Sequence, residues 1–228
     1  MINLLLAWFF YLYVAMRQFN ILSVFLLALV LGCNEPNKKV EEEGKESHLP
    51  VGAFPEYSGD LMIVPGKSID KVFLGQDMQK VFKILGNPND GDAAMGKAWG
   101  IWYLRDSTDT KKGELSVYSS YKDSTMFAKD VKQIMVSASN YRTDKGLRIG
   151  VSLDEIKAVF PNVKRAAVYV NTVKKDTLVV YDAENEGIAF DVRNKGDQFF
   201  TTAITVHPKN VSVNSTYLTI HTGWNKVE

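Results

Sequence analysis

The sequence predicts an α+β protein: two tandem helix-plus-antiparallel-meander repeats forming a sheet with helices packed on one face. Three observations predict it. Leu74–Leu85 aligns with Ile149–Phe160, apolar on apolar at every third or fourth place, at an offset of 75 residues. Both segments run into a proline, Pro88 and Pro161. Downstream of each, the hydrophobic period changes from helical to alternating.

In the first copy Met78, Val81, Ile84 and Leu85 mark one helix face, and in the second Leu153, Ile156, Val159 and Phe160 do the same. Asp77 and Ser152 stand at the helix starts, where a side-chain oxygen satisfies an orphan N–H. Strands are predicted over 98–104, 113–121 and 131–139 in the first copy, and over 166–170, 177–181, 187–193 and 201–207 in the second. Gly113 and Gly187 keep nearly the same offset as the helices. The alternation points Leu115, Val117, Ile134, Val136, Ile188, Phe190, Val192, Ile204 and Val206 toward the helices. The opposite face then shows Ser116, Tyr118, Ser120, Met135, Ser137, Asp191, Arg193, Thr205 and His207. Such a face is either an ordinary solvated one or a partner surface. The candidate partner-binding residues are Ser116, Tyr118, Asp191, Arg193, Thr205 and His207. The tail 211–228, with Tyr217, Leu218, Ile220 and Trp224, is expected to add a last strand or dock on the sheet.

The chain of 228 residues is 46% hydrophobic with 27 basic and 26 acidic side chains. That balance excludes a disordered polymer and a broadly basic nucleic-acid binder, so no nucleic acid is expected as a partner. Arg17 is the only charged residue before Cys33, which closes an apolar run through Gly32. Residues 1–32 therefore read as a signal peptide. Met16-Arg17 makes a more conventional start than Met1. An uncleaved anchor needs about 20 unbroken apolar residues, and Arg17, Gln18 and Asn20 divide the run. An ordinary secreted chain is the other alternative. Residues 33–48 comprise the cysteine and a polar, mixed-charge tether. The first repeat then spans 49–143, and the second repeat with the tail spans 144–228.

The ending Val30-Leu31-Gly32-Cys33 resembles the bacterial lipoprotein signal, in which the cysteine after a small residue is acylated. That resemblance implies lipidation at Cys33, membrane attachment and residence in the cell envelope. Asn34 rather than aspartate after the cysteine implies, by likeness to enteric bacteria, the outer membrane facing the periplasm. The order glycine, short helix, Leu85-Gly86-Asn87-Pro88 and a strand with Trp102-Tyr103 resembles the small outer-membrane lipoprotein family called BamE or SmpA/OmlA. The likeness covers about 69–139 and, more weakly, 144–207. A tandem of such units is similar to the β-lactamase inhibitor protein fold, whose long sheet grips a protein partner. These resemblances imply a non-enzymatic protein-binding module, in outer-membrane assembly or as an inhibitor. The alternative is a periplasmic protein that binds or senses a small ligand.

No nucleophile elbow, phosphate loop, zinc helix or paired-cysteine motif occurs, so no catalytic residue, cofactor or metal is assigned. Asn87–Asp92 clusters oxygen ligands without the spacing of a calcium loop and reads as a turn. Asp182, Glu184 and Glu186 read as a solvated hairpin connection. His207 reads as solvated or hydrogen-bonded. Trp99, Trp102 and Tyr103 read as core or sheet packing, with a partner hot spot as the alternative.

Overall fold

A computed structural model of the chain describes residues 61–105, 110–195, 198–215, 221 and 223–228, all within one compact unit spanning Leu49–Glu228. The expected signal, Met16, Cys33 and the tether lie outside the described residues, as do Tyr217, Leu218 and Ile220. No helix among the described residues is long and apolar enough to cross a membrane.

In chain order the elements are β1 (Leu61–Val64), β2 (Ser68–Ile69), β3 (Val72–Phe73), α1 (Met78–Leu85), β4 (Asp90–Ala94), β5 (Lys97–Arg105), β6 (Lys111–Tyr121), β7 (Lys129–Val136) and β8 (Tyr141–Thr143). Then follow α2 (Leu153–Val159), β9 (Lys164–Asn171), β10 (Asp176–Ala183), β11 (Ile188–Lys195), β12 (Gln198–Val206) and β13 (Asn225–Lys226). Two helices and two sheets thus make an α+β architecture. The larger sheet runs β13-β9-β10-β11-β12-β7-β6-β5-β4, and every pairing in it is antiparallel. A smaller sheet, β3-β2-β1-β8, includes a parallel pairing of β1 with β8.

Each half therefore runs helix, then four antiparallel strands. The last strands of the two halves, β7 and β12, pair at the centre through Val136–Ile204, Met135–Thr205 and Ile134–Val206. Both halves also dock the helix entrance in the same way. Gly75 N–H donates to Val131 O, and Val131 N–H donates to Gln76 O. In the second half Gly150 N–H donates to Thr201 O, and Thr201 N–H donates to Val151 O. A register shift lies beside each docking point, with Lys132 of β7 the extra residue opposite Tyr118–Ser119 and Thr202 of β12 the extra residue opposite Asp191–Val192. Such a bulge bends the strand and frees backbone groups to bond outside the ladder.

The caps follow from the sequence. Asp77 accepts from Gln79 N–H at 2.7 Å, and Ser152 forms a reciprocal capping box with Glu155. The Glu155 carboxyl lies below its ordinary range, mainly because the Ser152 backbone N–H donates to it. One core joins the helices and small sheet to one face of the large sheet. Leu115, Val117, Ile134, Val136, Ile188, Phe190, Val192, Ile204 and Val206 are all buried there with Met78, Val81, Ile156, Ile63 and Ile69. Full burial of each such aliphatic side chain contributes roughly 1.5–3 kcal/mol. Trp102 sits in that core, and its indole N–H donates to Gly86 O at 3.2 Å. Ile84 departs from the expected face and stays exposed, while its neighbour Leu85 packs against the core, because consecutive helix positions lie about 100° apart and only one of the two can face the sheet. The segment Asn87–Asp92 departs from a pure turn. Asp90–Ala94 forms the edge strand β4, paired in register with β5.

Candidate functional site

The outer face of the large sheet was expected to be open, and the structure corrects this. Ser116, Tyr118, Asp191, Thr205 and His207 are all buried, and Arg193 is half-buried. Part of the cover comes from the tail, whose Val213, His221 and Trp224 lie on the outer face and whose Asn225–Lys226 forms β13 on the edge of β9. Its Val213 and Trp224 join Ala167, Leu178, Val180 and Ala189 in a second apolar cluster. The tail thus both docks on the sheet and adds a strand to it. At the other end of the face Trp99 and Tyr118 bury each other, with ring centroids 5.1 Å apart.

Gln133, Asp182 and His207 on this face are held by protein groups rather than by solvent. Gln133 Nε2 donates to Val213 O at 2.8 Å, pinning the tail to β7. His207 Nε2 lies 3.0 Å from Asp182 Oδ1, and its Nδ1 lies 3.0 Å from Pro208 O. Asp182 Oδ2 accepts from Val213 N–H at 2.9 Å. The expected solvated connection at Asp182–Glu186 is therefore split. Glu184 and Glu186 are exposed, whereas Asp182 is buried and organises the tail.

A second polar group centres on Asp191, whose carboxyl is pushed above its ordinary range by burial while nearby His221 opposes the shift. His221 Nδ1 lies 3.7 Å from Asp191 Oδ2, and its ring lies 4.4 Å from that of Tyr169. Burial, and then the charge of Asp191, raise the Tyr169 phenol. Arg193 pairs with Asp176 and stacks over Trp224 with its guanidinium carbon 5.3 Å from the ring. Ser116 Oγ is buried without a hydrogen-bond partner. Sequence reasoning missed Tyr169, His221 and the pairing of Asp182 with His207. Their only signal was the apolar content of a tail that had to cover something.

A cleft of about 530 Å³ opens at the end of the second half, between the C-terminal end of α2, the start of β9 and the Glu184–Glu186 turn. Lys145, Lys164, Arg165 and Asn185 contribute to its wall, with Ser212 and Asn214 from the tail. Arg165 is engaged by Glu228, which raises its guanidinium above the ordinary range. Among the described residues no cluster of three or more histidine, cysteine or acidic side chains is placed to hold a metal ion.

No family model matches the chain, and no curated protein matches it. Among solved structures it is similar to the uncharacterized protein yfeY from Escherichia coli, at 12% identity and a TM-score of 0.40, over 65% of this chain and 99% of that one. A likeness of that degree carries no argument about function.

Proposed function

We propose that this chain is a lipid-anchored, non-enzymatic protein of the bacterial envelope whose two fused units form a protein-binding module, in outer-membrane assembly or as an inhibitor. The apolar run ending in Gly32-Cys33 supports the anchor. The order of helix and four strands in both halves supports the likeness to BamE-type and β-lactamase-inhibitor repeats. The observation that carries the binding role is an exposed apolar strip on the small sheet. Val64 and Phe73 flank Ser68 in one row of that sheet, Met62 lies two residues back on the same face, and all three are exposed. Clustered apolar side chains on an outer sheet face mark interaction sites more often than scattered ones do.

The test places photo-crosslinking residues at Met62 and Phe73 in native cells, with buried Ser116 and Thr205 as controls. One dominant partner captured at the strip, and lost in Phe73→Asp with the protein still displayed, is the expected result. Equal capture at the buried controls overturns this surface. Cys33→Ser is expected to release the protein from the membrane fraction, and retention there overturns the anchor.

The cleft at the end of α2 favours the second reading, a small-ligand binder or sensor. Native mass spectrometry of the chain purified from its host tests it. A co-purifying small molecule that is lost in Asn185→Trp would support that reading, and an empty cleft removes it.

A further inference from the structure

Among the described residues, the two most exposed large apolar side chains stand at the tips of two neighbouring hairpins. Met95 closes the β4–β5 hairpin and is 96% exposed, and Phe127, in the β6–β7 turn, is 93% exposed. Met126 precedes Phe127 and is also exposed. The tips lie side by side. Lys97 pairs with Ser120 and Tyr121 pairs with Lys129, and a Cβ placed on Gly96 would meet the Tyr121 ring at 2.8 Å. Backbone bonds fix the second tip, with Lys122 N–H donating to Ala128 O and Met126 N–H to Asp123 O.

Two features of these tips require explanation. Met95 and Met126 hold left-handed backbone, at φ 50° and 57°, where asparagine or glycine is the less costly occupant. The long apolar side chains therefore stand in water at turn positions that local conformation does not favour. Around them sit Lys97, Lys122 and Lys129, against two acidic groups that are already engaged: Asp123, whose carboxyl is occupied by Thr125, and Asp130, in the row of Lys97 and Ser120, which pairs with Lys132. Lys129 Nζ lies 5.2 Å over the Tyr121 ring. An apolar tip with a cationic collar is the pattern that enters a bilayer interface beside anionic headgroups. Met95 and Phe127, each more than nine-tenths exposed, project from hairpin turns, which suits a deformable bilayer better than a groove cut to fit them.

We infer that the Met95 and Met126-Phe127 tips form a phospholipid-binding surface that inserts into a bilayer bearing anionic headgroups. Together with an acylated Cys33 this makes a second membrane contact and fixes which face of the domain looks outward. The inference takes from the proposed function only that a bilayer is near.

The test uses the full-length gene expressed in a bacterial host, with an environment-sensitive fluorescent amino acid in place of Phe127. A second protein carries it in place of Val173, which is 91% exposed in the β9–β10 turn. Each purified protein is mixed with vesicles of phosphatidylethanolamine and phosphatidylglycerol, or of phosphatidylcholine alone, and floated on a gradient. The expected result is a blue shift at position 127 with the anionic vesicles, a smaller one with phosphatidylcholine, and none at 173. Replacing Lys97, Lys122 or Lys129 by glutamine is expected to reduce the inserted fraction by about fivefold each. Protein that floats while position 127 stays in water keeps the anchor and overturns the inference. A shift at 127 in protein that floats no better than Cys33→Ser keeps the inference and overturns the anchor. Failure of both readouts removes both readings. A shift seen only in native envelopes, and absent from vesicles, assigns the tips to a protein and overturns the lipid reading.

Discussion

Gly187 sits where three segments meet, so adding one methyl group there tests the fold at its tightest point. Its φ is +75°, and a Cβ would lie 2.4 Å from His207 O and 2.7 Å from Gly66 Cα. The same glycine's carbonyl accepts from Gly66 N–H at 3.0 Å and from His207 N–H at 3.1 Å. Gly187→Ala therefore carries a left-handed backbone penalty of about 1–2 kcal/mol and displaces backbone that is itself hydrogen-bonded, a further 1–3 kcal/mol or so. Gly146→Ala isolates the first part, because Gly146 has φ +82° with nothing within 4 Å of its Cβ position. The difference between the two variants is thus about 1–3 kcal/mol, or about 2–12 °C in Tm for a domain of this size. Urea unfolding followed by circular dichroism measures it as a shift in midpoint at constant slope. Equal losses in the two variants would refute the close approach of β1–β2, β11 and the end of β12.

Three other substitutions probe the covered face. Asp182→Ala leaves His207 and Val213 N–H without their acceptor, at about 1–3 kcal/mol for each buried donor, and a calorimetric Tm unchanged from the parent would show that the tail is held otherwise. Ser116→Ala removes a buried hydroxyl with no partner and is expected to be neutral or slightly stabilising; a loss above about 1 kcal/mol in urea unfolding would reveal an unseen bond. Asp191 has its carboxyl raised above the ordinary 3.8 by burial. Between 3.8 and that raised value the folded state holds a proton that the unfolded state has lost. Stability therefore falls as pH rises through this window, and the penalty is complete above it. Asp191→Asn is expected to flatten that fall, and a parent-like pH slope in the variant would contradict it.

The inner half of this architecture was legible because each level of the sequence agreed with the next. Asp77 and Ser152 mark helix entries by their side-chain oxygens, and Ile188, Phe190 and Val192 mark an inner face by strict alternation. The spacing of Gly113 and Gly187 was legible too, and its reason is steric. A Cβ on Gly113 would lie 2.7 Å from Ala138 N, just past β7, as one on Gly187 would strike His207, just past β12. What stayed hidden depended on partners distant in sequence. Asp90-Gly91-Asp92-Ala93-Ala94 lacks the β-branched residues of a strand, and it becomes one because β5 supplies a ladder. The strands β1, β2, β3 and β8 are two to four residues long, too short for alternation to register. The outer face looked solvated because Asp191, Thr205 and His207 are polar, yet polarity cannot distinguish water from a tail that brings its own donors.

The sheet's two ends constrain how any partner can approach. An open edge strand invites another chain to add to the ladder, and here both ends resist it. On β4 the N–H groups of Gly91 and Ala93, two residues apart and so on one side of the strand, are each taken by the preceding aspartate at 2.7 Å. Those carboxylates also place negative charge where an incoming strand would bring carbonyl oxygens. On β9 the last residues close the edge, with Val168 N–H donating to Glu228 O and Val227 N–H to Val168 O. The ion pair of Arg165 with Glu228 is exposed and contributes little alone, but it fixes the register of a strand otherwise two residues long. With both edges of the large sheet occupied and its outer face largely covered, addition of a strand to that sheet is disfavoured. The proposed binding would then fall to surfaces already open to solvent, among them the apolar strip of the small sheet, the cleft beside α2 and the methionine and phenylalanine tips at the far hairpins.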